Sequence, residues 1–438
     1  MNKQDDKQER VIPKLRFPEF QTTLGWDKDI LGNLFAERSK KNNLKKTVLA
    51  ATQDKGVIPY ELMEKSVIRD RKNLGGYKLV LPEDFVISLR SFEGGFEYSK
   101  YEGIISPAYV VLYPKIKIYN YFFRIYFKQD SFIQQIQNSL NNSLRDGKSI
   151  SYKQASTLSI ALPQIEEQQK IADCLSSIDE LINFREQKLA ALKQHKKGLM
   201  QQLFPSHNDL QASKQASKQA SKQASKQAIV YPKLRFPQFK DCEGWKVVKL
   251  GNVFKRITLK NKENNQNVLT ISAQYGLISQ LEFFNKSVAA KNITGYYLLH
   301  KGDFAYNKSY SNGYPWGAIK PLKLYDKGVV STLYICFRLQ ELYLEYGSFF
   351  EHYFETGLQN PEISQIAQEG ARNHGLLNVS VQDFFENISI CLPSSKEQQA
   401  IADCLSSLDK LISEENEQIG RLKDHKKGLM QQLFPKIQ

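Results

Sequence analysis

The chain has 438 residues, of which 41% are hydrophobic and 11% aromatic, so it is apolar enough to fold and long enough for two or more domains. Lys and Arg outnumber Asp and Glu by 61 to 46, and the net charge of +15 suggests a polyanionic partner, although ribosomal, membrane-surface and nucleic-acid proteins share this balance. The charged first ten residues and the absence of any run of 18 apolar residues argue against export and membrane insertion, so we expect a cytoplasmic protein with no membrane partner.

The chain is an internal duplication. The first half opens with the motifs PKLRFPEF (13–20), Gly25-Trp26 and Leu31-Gly32-Asn33. The second half opens with PKLRFPQF (232–239) and repeats the other two motifs 219 residues after their first occurrence. The globular part of each half is therefore expected to have the same fold.

Short runs of β-branched and aromatic residues, separated by Gly and Pro, predict strands in both halves. In the first half they are 77–81, 85–89 and 108–113; in the second they are 296–299 and 329–339. Segments 119–140 and 342–356 have a helical pattern. We predict that each half is α/β or α+β, with a mixed, largely antiparallel sheet.

Two long segments, 163–205 and 393–435, are identical at 27 of 43 aligned positions. Each starts at a proline and ends at Phe-Pro, where a helix cannot continue. Their apolar residues have heptad spacing, so each helix needs a helical partner, and the other copy is the obvious one. We predict an antiparallel coiled coil, because the short connection from the first helix to the second half would be nearly fully extended in a parallel pair. The predicted seam consists of Ile171, Leu175, Ile178, Ile182, Leu189, Leu192, Leu199, Leu203, Ile401, Leu405, Leu408, Ile412, Ile419, Leu422, Leu429 and Leu433.

Four charged residues interrupt the seams: Arg185 and Lys196 in the first helix, Glu415 and Lys426 in the second. Antiparallel packing is expected to bring Arg185 close to Glu415, unless both are simply solvated.

Residues 206–230 contain four tandem QASK units and a QA remnant. Without apolar residues in the units the segment cannot form a core, so it is expected to be a spacer that is either a fraying helix or coil.

The sequence lacks the motifs of the enzyme classes considered. It has no Gly-x-Gly, no Pro-Pro dipeptide and no phosphate-binding loop, and Asp70-Arg71-Lys72 lacks the preceding Pro-Asp of a nuclease motif. The five cysteines form no Cys-x-x-Cys pair, and His195 and His425 have no carboxylate or thiol set beside them. We assign no catalytic, cofactor-binding or metal-binding residue.

Two globular copies, each followed by a helix that opens LP-x-x-x-EQQ-x-IA (162–172 and 392–402), closely resemble the specificity (S) subunit of type I restriction-modification enzymes. The resemblance covers nearly the whole chain. It implies a pseudo-two-fold molecule with target recognition domains at 1–162 and 231–392, a central spacer helix at 163–205, a QASK linker at 206–230 and a C-terminal spacer helix at 393–438.

The resemblance also implies the partners: double-stranded DNA, two methyltransferase (M) subunits and restriction (R) subunits. Each globular domain would read one half of a bipartite, asymmetric DNA target, while the helices set the half-site spacing and dock the M subunits. S-adenosylmethionine, ATP and Mg would belong to the partner subunits, and this chain would be non-catalytic with no cofactor of its own.

Candidate DNA-binding residues fall into loops rich in Arg, Lys, Asn, Ser, Tyr and Gly and into basic clusters, although ordinary surface turns and solvated faces have the same composition. The loop residues are Arg90, Ser91, Tyr98, Lys100, Asn307, Lys308, Ser309, Tyr310 and Asn312; the clusters are Lys40, Lys41, Lys45, Lys46, Arg69, Arg71, Lys72, Arg372, Asn373 and His374. The alternative function is a non-enzymatic coiled-coil scaffold that binds acidic protein partners.

Overall fold

The computed structural model describes residues 10–63, 71–87, 95–140, 150–220, 227–272, 276–284, 292–309, 313–367 and 377–436. The chain forms two compact units. The first consists of Met1–Glu186 and Glu417–Gln438, and the second of Gln187–Asn416. Each unit thus combines one globular half with segments of both long helices.

Short strands dominate the globular part of each half, and a long helix follows. The first half contains β1 (Arg10–Val11), β2 (Trp26–Ile30), α1 (Leu31–Leu34), β3 (Phe35–Glu37), β4 (Leu49–Thr52), β5 (Gly56–Pro59), β6 (Lys78–Val80), β7 (Phe85–Ile87), β8 (Phe96–Tyr98), β9 (Gly103–Ile105), β10 (Val110–Pro114), α2 (Asn120–Tyr126), α3 (Asp130–Leu140), α4 (Tyr152–Ala155), β11 (Ser159–Leu162) and α5 (Ile165–Leu203). Short 3-10 helices cover Pro18–Phe20, Tyr60–Leu62 and Arg71–Gly76.

The second half repeats this order with two additional α-helices, one before its first strand and one between its fifth and sixth strands. It contains α6 (His207–Ala220), β12 (Ile229–Val230), β13 (Trp245–Lys249), α7 (Leu250–Val253), β14 (Phe254–Arg256), β15 (Leu269–Ser272), β16 (Gly276–Ser279), α8 (Gln280–Phe284), β17 (Tyr297–His300), β18 (Phe304–Asn307), β19 (Ala318–Pro321), β20 (Lys327–Val330), β21 (Ile335–Leu339), α9 (Gly347–Glu355), α10 (Asn360–Ile366), α11 (Val381–Asn387), β22 (Ser389–Leu392) and α12 (Ser395–Leu433). Pro237–Phe239 and Glu341–Tyr346 are 3-10 helices.

The two halves have the same sheet topology. A three-stranded sheet has the order β1-β2-β11 in the first half and β12-β13-β22 in the second. A four-stranded sheet has the order β3-β10-β7-β8 and then β14-β21-β18-β19, and the pairs β4-β5 and β6-β9 correspond to β15-β16 and β17-β20. The pairs within these sheets are antiparallel. The predicted α+β fold and internal duplication are confirmed.

Aromatic side chains fill the space between the four-stranded sheet and the helix that follows it. In the first unit Phe35 contacts Phe85, Phe123 and Phe127, with ring centroids 5.2–5.6 Å apart. In the second unit Phe254 contacts Phe304, Phe337, Phe350 and Phe354 in the equivalent place. Edge-to-face contacts of this kind add to the stabilisation from burial alone.

The helices α5 and α12 are 39 residues long and run antiparallel, as predicted. In the first unit Asp179 pairs with Lys426 at 2.6 Å and Glu186 with Lys423 at 2.7 Å. In the second unit Lys196 pairs with Asp409 at 2.5 Å, the equivalent of the Asp179–Lys426 pair. From Asp179 through Glu186 to Lys196 the residue numbers rise along α5, whereas those of their partners fall along α12 from 426 through 423 to 409. This order identifies an antiparallel pair.

The predicted seam residues are buried or half-buried. The buried members are Ile171, Leu175, Ile182, Leu203, Ile401, Leu405, Ile419 and Leu433, and the other eight are half-buried. Lys196 and Lys426, which interrupt the apolar pattern, reach carboxylates of the facing helix instead of solvent. Glu415 accepts a hydrogen bond from Lys188 at 2.5 Å, and its predicted approach to Arg185 stays a prediction.

The Glu-Gln-Gln triplet at the start of each long helix anchors the helix to its own globular half. Glu167 accepts two hydrogen bonds from the Arg16 guanidinium, at 2.8 and 2.6 Å, and both side chains are buried. Gln168 donates to the carbonyl of Pro163 at 2.8 Å and accepts the N–H of Tyr119 at 2.9 Å. The repeated PKLRFP and EQQ motifs therefore pair with each other.

The end of each long helix enters the core of the other globular half. Phe434, just after α12, lies against Trp26, Phe122 and Tyr126 of the first unit, with centroids 5.4–6.1 Å apart. Phe204, just after α5, lies against Trp245, Phe349 and Tyr353 of the second unit at 5.6–6.0 Å.

Backbone hydrogen bonds repeat this exchange of helix ends. The N–H of Leu15 donates to the carbonyl of Gln432 at 3.0 Å, and the N–H of Leu234 donates to that of Gln202 at 2.9 Å. Each globular half is thus completed by the Phe-Pro end of the helix that follows the other half along the chain.

Candidate nucleic-acid interface

Four exposed lysines lie on the connection between β3 and β4 in the first unit: Lys40, Lys41, Lys45 and Lys46. The connection is held in place by its backbone. The N–H of Leu79 donates to the carbonyl of Lys40 at 2.8 Å, and Asn42, with a φ of 66°, donates its N–H to the carbonyl of Gly75 at 3.3 Å. Lys46 pairs with Glu102 at 2.7 Å on the surface. The others form a cationic surface that can contact phosphates.

The same backbone bond joins this connection to a second segment of the first unit. Gly75, whose carbonyl accepts the N–H of Asn42, lies in the 3-10 helix Arg71–Gly76. The backbone of that helix therefore lies against the connection that carries the four lysines. Arg69 lies outside the described residues.

The hairpin of β7 and β8 carries the predicted reading loop of the first half. Lys100, just after β8, is exposed, whereas Tyr98 is 9% exposed and packs against Phe85 and Tyr121. Burial raises the pKa of Tyr98 to about 12. The Tyr98 ring therefore packs in the core of the first unit, and its predicted contact with DNA stays a prediction. Arg90 and Ser91 lie outside the described residues.

The equivalent hairpin of the second half consists of β18 and β19. Asn307, Lys308 and Ser309 follow one another at the end of β18 and are half-buried. The side-chain oxygen of Asn307 accepts the N–H of Ser309 at 3.0 Å and fixes the turn, and burial lowers the pKa of Lys308. Tyr310 and Asn312 lie outside the described residues.

The cluster Arg372, Asn373 and His374 also lies outside the described residues, but the chain that follows it returns to this hairpin. The N–H of Leu377, three positions after His374, donates to the carbonyl of Lys308 at 2.9 Å. The structure thus brings the chain adjoining two predicted clusters together at one end of the sheet.

A buried aspartate, paired with an arginine, supports each of these hairpins. The sequence patterns did not reveal this pairing. Asp84 precedes β7 and accepts two hydrogen bonds from Arg38, at 2.7 and 2.9 Å. Asp303 precedes β18 and accepts two from Arg338, at 3.0 and 2.7 Å. Burial raises the pKa of Asp84, and the Arg38 guanidinium opposes the rise. Arg38 directly follows β3, whereas Arg338 lies on β21, so the aligned sequences show only the aspartates.

A second ion pair has opposite polarity in the two units. Glu97 on β8 pairs with Lys128 in the first unit, and Lys320 on β19 pairs with Glu355 at the end of α9 in the second. Registers show that the strand positions correspond, because Val86 pairs with Glu97 and the equivalent Ala305 pairs with Lys320. Burial is the main influence on both strand residues: it raises the pKa of Glu97 and lowers that of Lys320 to about 8.

Reversing the charge of Glu97 should destabilise the first unit. Glu97→Lys would put two ammonium groups together at a buried strand position and is expected to cost about 2–3 kcal/mol. The double variant Glu97→Lys/Lys128→Glu reproduces the polarity of the second unit and should recover most of that stability in a denaturant titration. Equal stability of the single and double variants would show that the two side chains do not interact.

An open cleft of about 870 Å³ borders the β7–β8 hairpin. Lys100, Tyr121, Arg124 and Lys128 lie along it, and the Arg124 guanidinium is 5.4 Å from the centre of the Tyr121 ring. The exposed cations Lys100 and Arg124 beside this aromatic face suit contacts with a polyanion or a base, although Asp54, Glu97, Asp179 and Glu180 line the same cleft.

Within the described ranges, no group of three or more His, Cys, Asp or Glu side chains is arranged to hold a metal ion. No helix in that part of the chain is both long and apolar enough to cross a bilayer.

A sequence profile described as "Type I restriction modification DNA specificity domain" matches residues 25–194 and 242–423, so most of both halves is covered. The chain belongs to this type I restriction-modification DNA specificity family. Its two specificity domains are the two globular halves, each matched together with most of the helix that follows it. The resemblance that the EQQ helix motif predicted is confirmed.

A solved structure with a TM-score above 0.5 shares the fold of this chain. The S subunit of a type I restriction-modification system from M. genitalium is 14% identical, with a TM-score of 0.54 over 98% of this chain and 100% of that one. A chain from a structure that concerns complex assembly and conformational transition of the type I R-M system is 13% identical, with a TM-score of 0.48 over 94% of this chain and 98% of that one. The HsdS subunit from Thermoanaerobacter tengcongensis is 15% identical, with a TM-score of 0.43 over 93% and 96%. No curated protein sequence matches the chain significantly.

As a member of this family, the protein serves DNA sequence specificity. Among the described residues, Tyr98 lies on the β7–β8 hairpin, and Asn307, Lys308 and Ser309 lie at the end of β18. The predicted DNA contacts of the individual residues stay predictions.

Proposed function

We propose that each specificity domain reads one half of a bipartite, asymmetric DNA target and that α5 and α12 set the separation of the half-sites. The observation that carries this proposal is the duplication itself. Two domains of one topology present equivalent hairpins, β7–β8 and β18–β19, that differ in sequence, while the paired helices repeat the same Lys–Asp contacts. Two related but different reading surfaces favour two different half-sites in successive grooves of the duplex.

We further propose that two methyltransferase subunits bind along the helices, that restriction subunits join them, and that this chain is the non-catalytic, cytoplasmic member of the complex. Apolar side chains exposed on the helices support a docking role. Leu181 and Phe184 on α5 are 42% and 64% exposed, and Leu411 on α12 is 45% exposed. Leu181 and Phe184 are three residues apart and share one face of the helix. S-adenosylmethionine, ATP and Mg would then be bound by the partner subunits.

The proposal is tested by expressing the chain together with its methyltransferase partner and sequencing the modified bases of the host DNA. A single bipartite motif with two different half-sites and a constant spacer is the expected result. Modification at a continuous or palindromic motif would contradict the reading by two different domains. Affinity capture of the chain tests whether the methyltransferase subunits bind it directly.

Removing two surface lysines tests the phosphate-binding assignment. Lys40→Ala/Lys41→Ala should weaken binding of the assembled complex to specific and unrelated duplexes alike. The salt dependence of binding should fall by about one counterion for each phosphate that the variant no longer neutralises. Fluorescence anisotropy at several salt concentrations measures both quantities.

The control variant for this experiment removes the same charge elsewhere in the first unit, at Lys14 and Lys153, both of which are exposed. An equal loss of affinity in the control would mean that net charge, rather than the surface after β3, determines the effect.

A further inference from the structure

The QASK array begins after the chain has already entered the second unit. Phe204 lies in the core of that unit, 5.9 Å from Trp245 and 5.6 Å from Phe349 between ring centroids. Leu210, directly before the first QASK residue, is 1% exposed and belongs to the same core. Every repeat therefore follows an anchor on the second unit.

The array also ends on the second unit. Ile229 and Val230 form β12, which pairs with β13 in the register Ile229 with Lys246 and Val230 with Trp245. The N–H of Val247 donates to the carbonyl of Ala228 at 3.0 Å, so the ordered strand pairing starts at the last residue of the QA remnant.

The two ends of the array contact each other. The hydroxyl of Ser213, in the first QASK unit, donates to the carbonyl of Ile229 at 2.6 Å. Lys214, in the same unit, pairs with Glu362 and donates to the hydroxyl of Ser389 at 2.6 Å. The first QASK repeat is thus fixed to the globular domain, and the described residues before and after the array meet at one place on that domain.

The long helices have a different relation to the two units. α5 begins in the first unit and ends in the second, and α12 begins in the second and ends in the first. Both of them connect the two specificity domains, whereas the array connects two points of one domain.

We propose that the number of QASK units does not determine the half-site spacing, which depends on α5 and α12 alone, and that the array is a length-tolerant excursion of the second domain. The inference rests on the proposed bipartite function. A helical QASK unit is about 6 Å long, nearly two base-pair rises, so an array that separated the two domains would change the spacer with every added unit. Because the base of the excursion is closed by Ser213 and Ile229, added length extends away from that base.

The test uses variants with one, three, five and six QASK units, each expressed with the methyltransferase partner. The one-unit variant lacks residues 215–226 and keeps the anchored unit and the QA remnant, which is enough chain to close the contact between Ser213 and Ile229. Sequencing of modified bases should give the same two half-sites and the same spacer in all variants. A spacer that changes with the unit count would overturn the inference and leave the bipartite function intact.

A control lengthens the helices instead. One heptad inserted into α5 between Glu186 and Gln187, together with one inserted into α12 between Asn416 and Glu417, keeps the seam in phase. At 1.5 Å per residue it adds about 10 Å, and the spacer should grow by about three base pairs. An unchanged spacer here would overturn the role of the helices.

Hydrogen exchange with mass spectrometry provides a readout that does not depend on DNA. Amides of Leu210–Lys214 and of Ile229–Val230 should have the same protection whatever the number of units. Loss of that protection when QASK units are removed would overturn the inference. This outcome does not depend on the proposed function, because it is measured whether or not the chain modifies a bipartite sequence.

Discussion

Replacing Glu167 by Ala is expected to lower the stability of the first unit by about 3–5 kcal/mol. The side chains of Arg16 and Glu167 are 5% and 2% exposed and are joined by two hydrogen bonds at 2.6 and 2.8 Å. Without the carboxylate, the guanidinium keeps its bonds to Thr23 and to the carbonyl of Leu24 but loses its counter-charge in a place that water does not reach. An unpaired buried charge costs far more than the removal of a surface ion pair.

The double variant Arg16→Met/Glu167→Leu separates charge burial from packing. It removes both charges and keeps apolar volume, so it should be clearly more stable than Glu167→Ala. Hydrogen exchange with mass spectrometry measures the effect in each unit, because peptides from the two units are distinct. A loss of less than about 1 kcal/mol in the single variant would mean that solvent enters the site and stabilises Arg16.

The second unit offers a matched pair. Arg235 and Glu397 have the same geometry, at 2.8 and 2.6 Å, and the pairing with Glu397 raises the pKa of Arg235. Glu397→Ala should therefore weaken the second unit by a similar amount and leave the exchange of first-unit peptides nearly unchanged. A loss spread over both units would indicate that the helices, rather than the local anchors, transmit the effect.

The Arg16–Glu167 pair shows where sequence reasoning succeeds and where it stops. Both motifs are visible because they recur, and repetition predicts equivalent structure in the two halves. Their partnership is not visible, since 151 residues separate the two side chains and no local periodicity connects them. The arginines that bind Asp84 and Asp303 are harder still to find, because Arg38 and Arg338 do not occupy aligned positions.

Secondary structure was predictable where the buried apolar residues recur with the period of the helix or strand that they form. The segment 85–89 contains β7, and 119–140 contains α2 and α3, but 329–339 is two strands, β20 and β21, divided by a turn. Continuous apolar sequence does not distinguish one long buried strand from two short ones. Residue propensities alone did not decide whether the QASK array is helix or coil. In the structure α6 begins at His207, and the burial of Leu210 in the core stabilises its first turn.

The predicted antiparallel packing places the end of each long helix beside the start of the other, but the identical GLMQQLFP sequences do not show that these ends enter the globular cores. Phe434→Ala tests which half depends on which end. Phe434 is 5% exposed among Trp26, Phe122 and Tyr126, and removing a buried aromatic ring from such a cluster costs about 3–5 kcal/mol. The loss should appear in the first unit, although Phe434 follows the second half along the chain.

Phe204→Ala is the matched variant, since Phe204 occupies the equivalent place beside Trp245 in the second unit. Hydrogen exchange should show faster exchange around Trp26 and Leu429–Leu433 for Phe434→Ala, and around Trp245 and Leu199–Leu203 for Phe204→Ala. The opposite assignment, with each variant weakening the half that precedes it in sequence, would contradict the exchanged ends. Because each ring packs in an equivalent aromatic cluster, the two variants should lose a similar amount of stability. The loss should fall in the first unit for Phe434→Ala and in the second unit for Phe204→Ala.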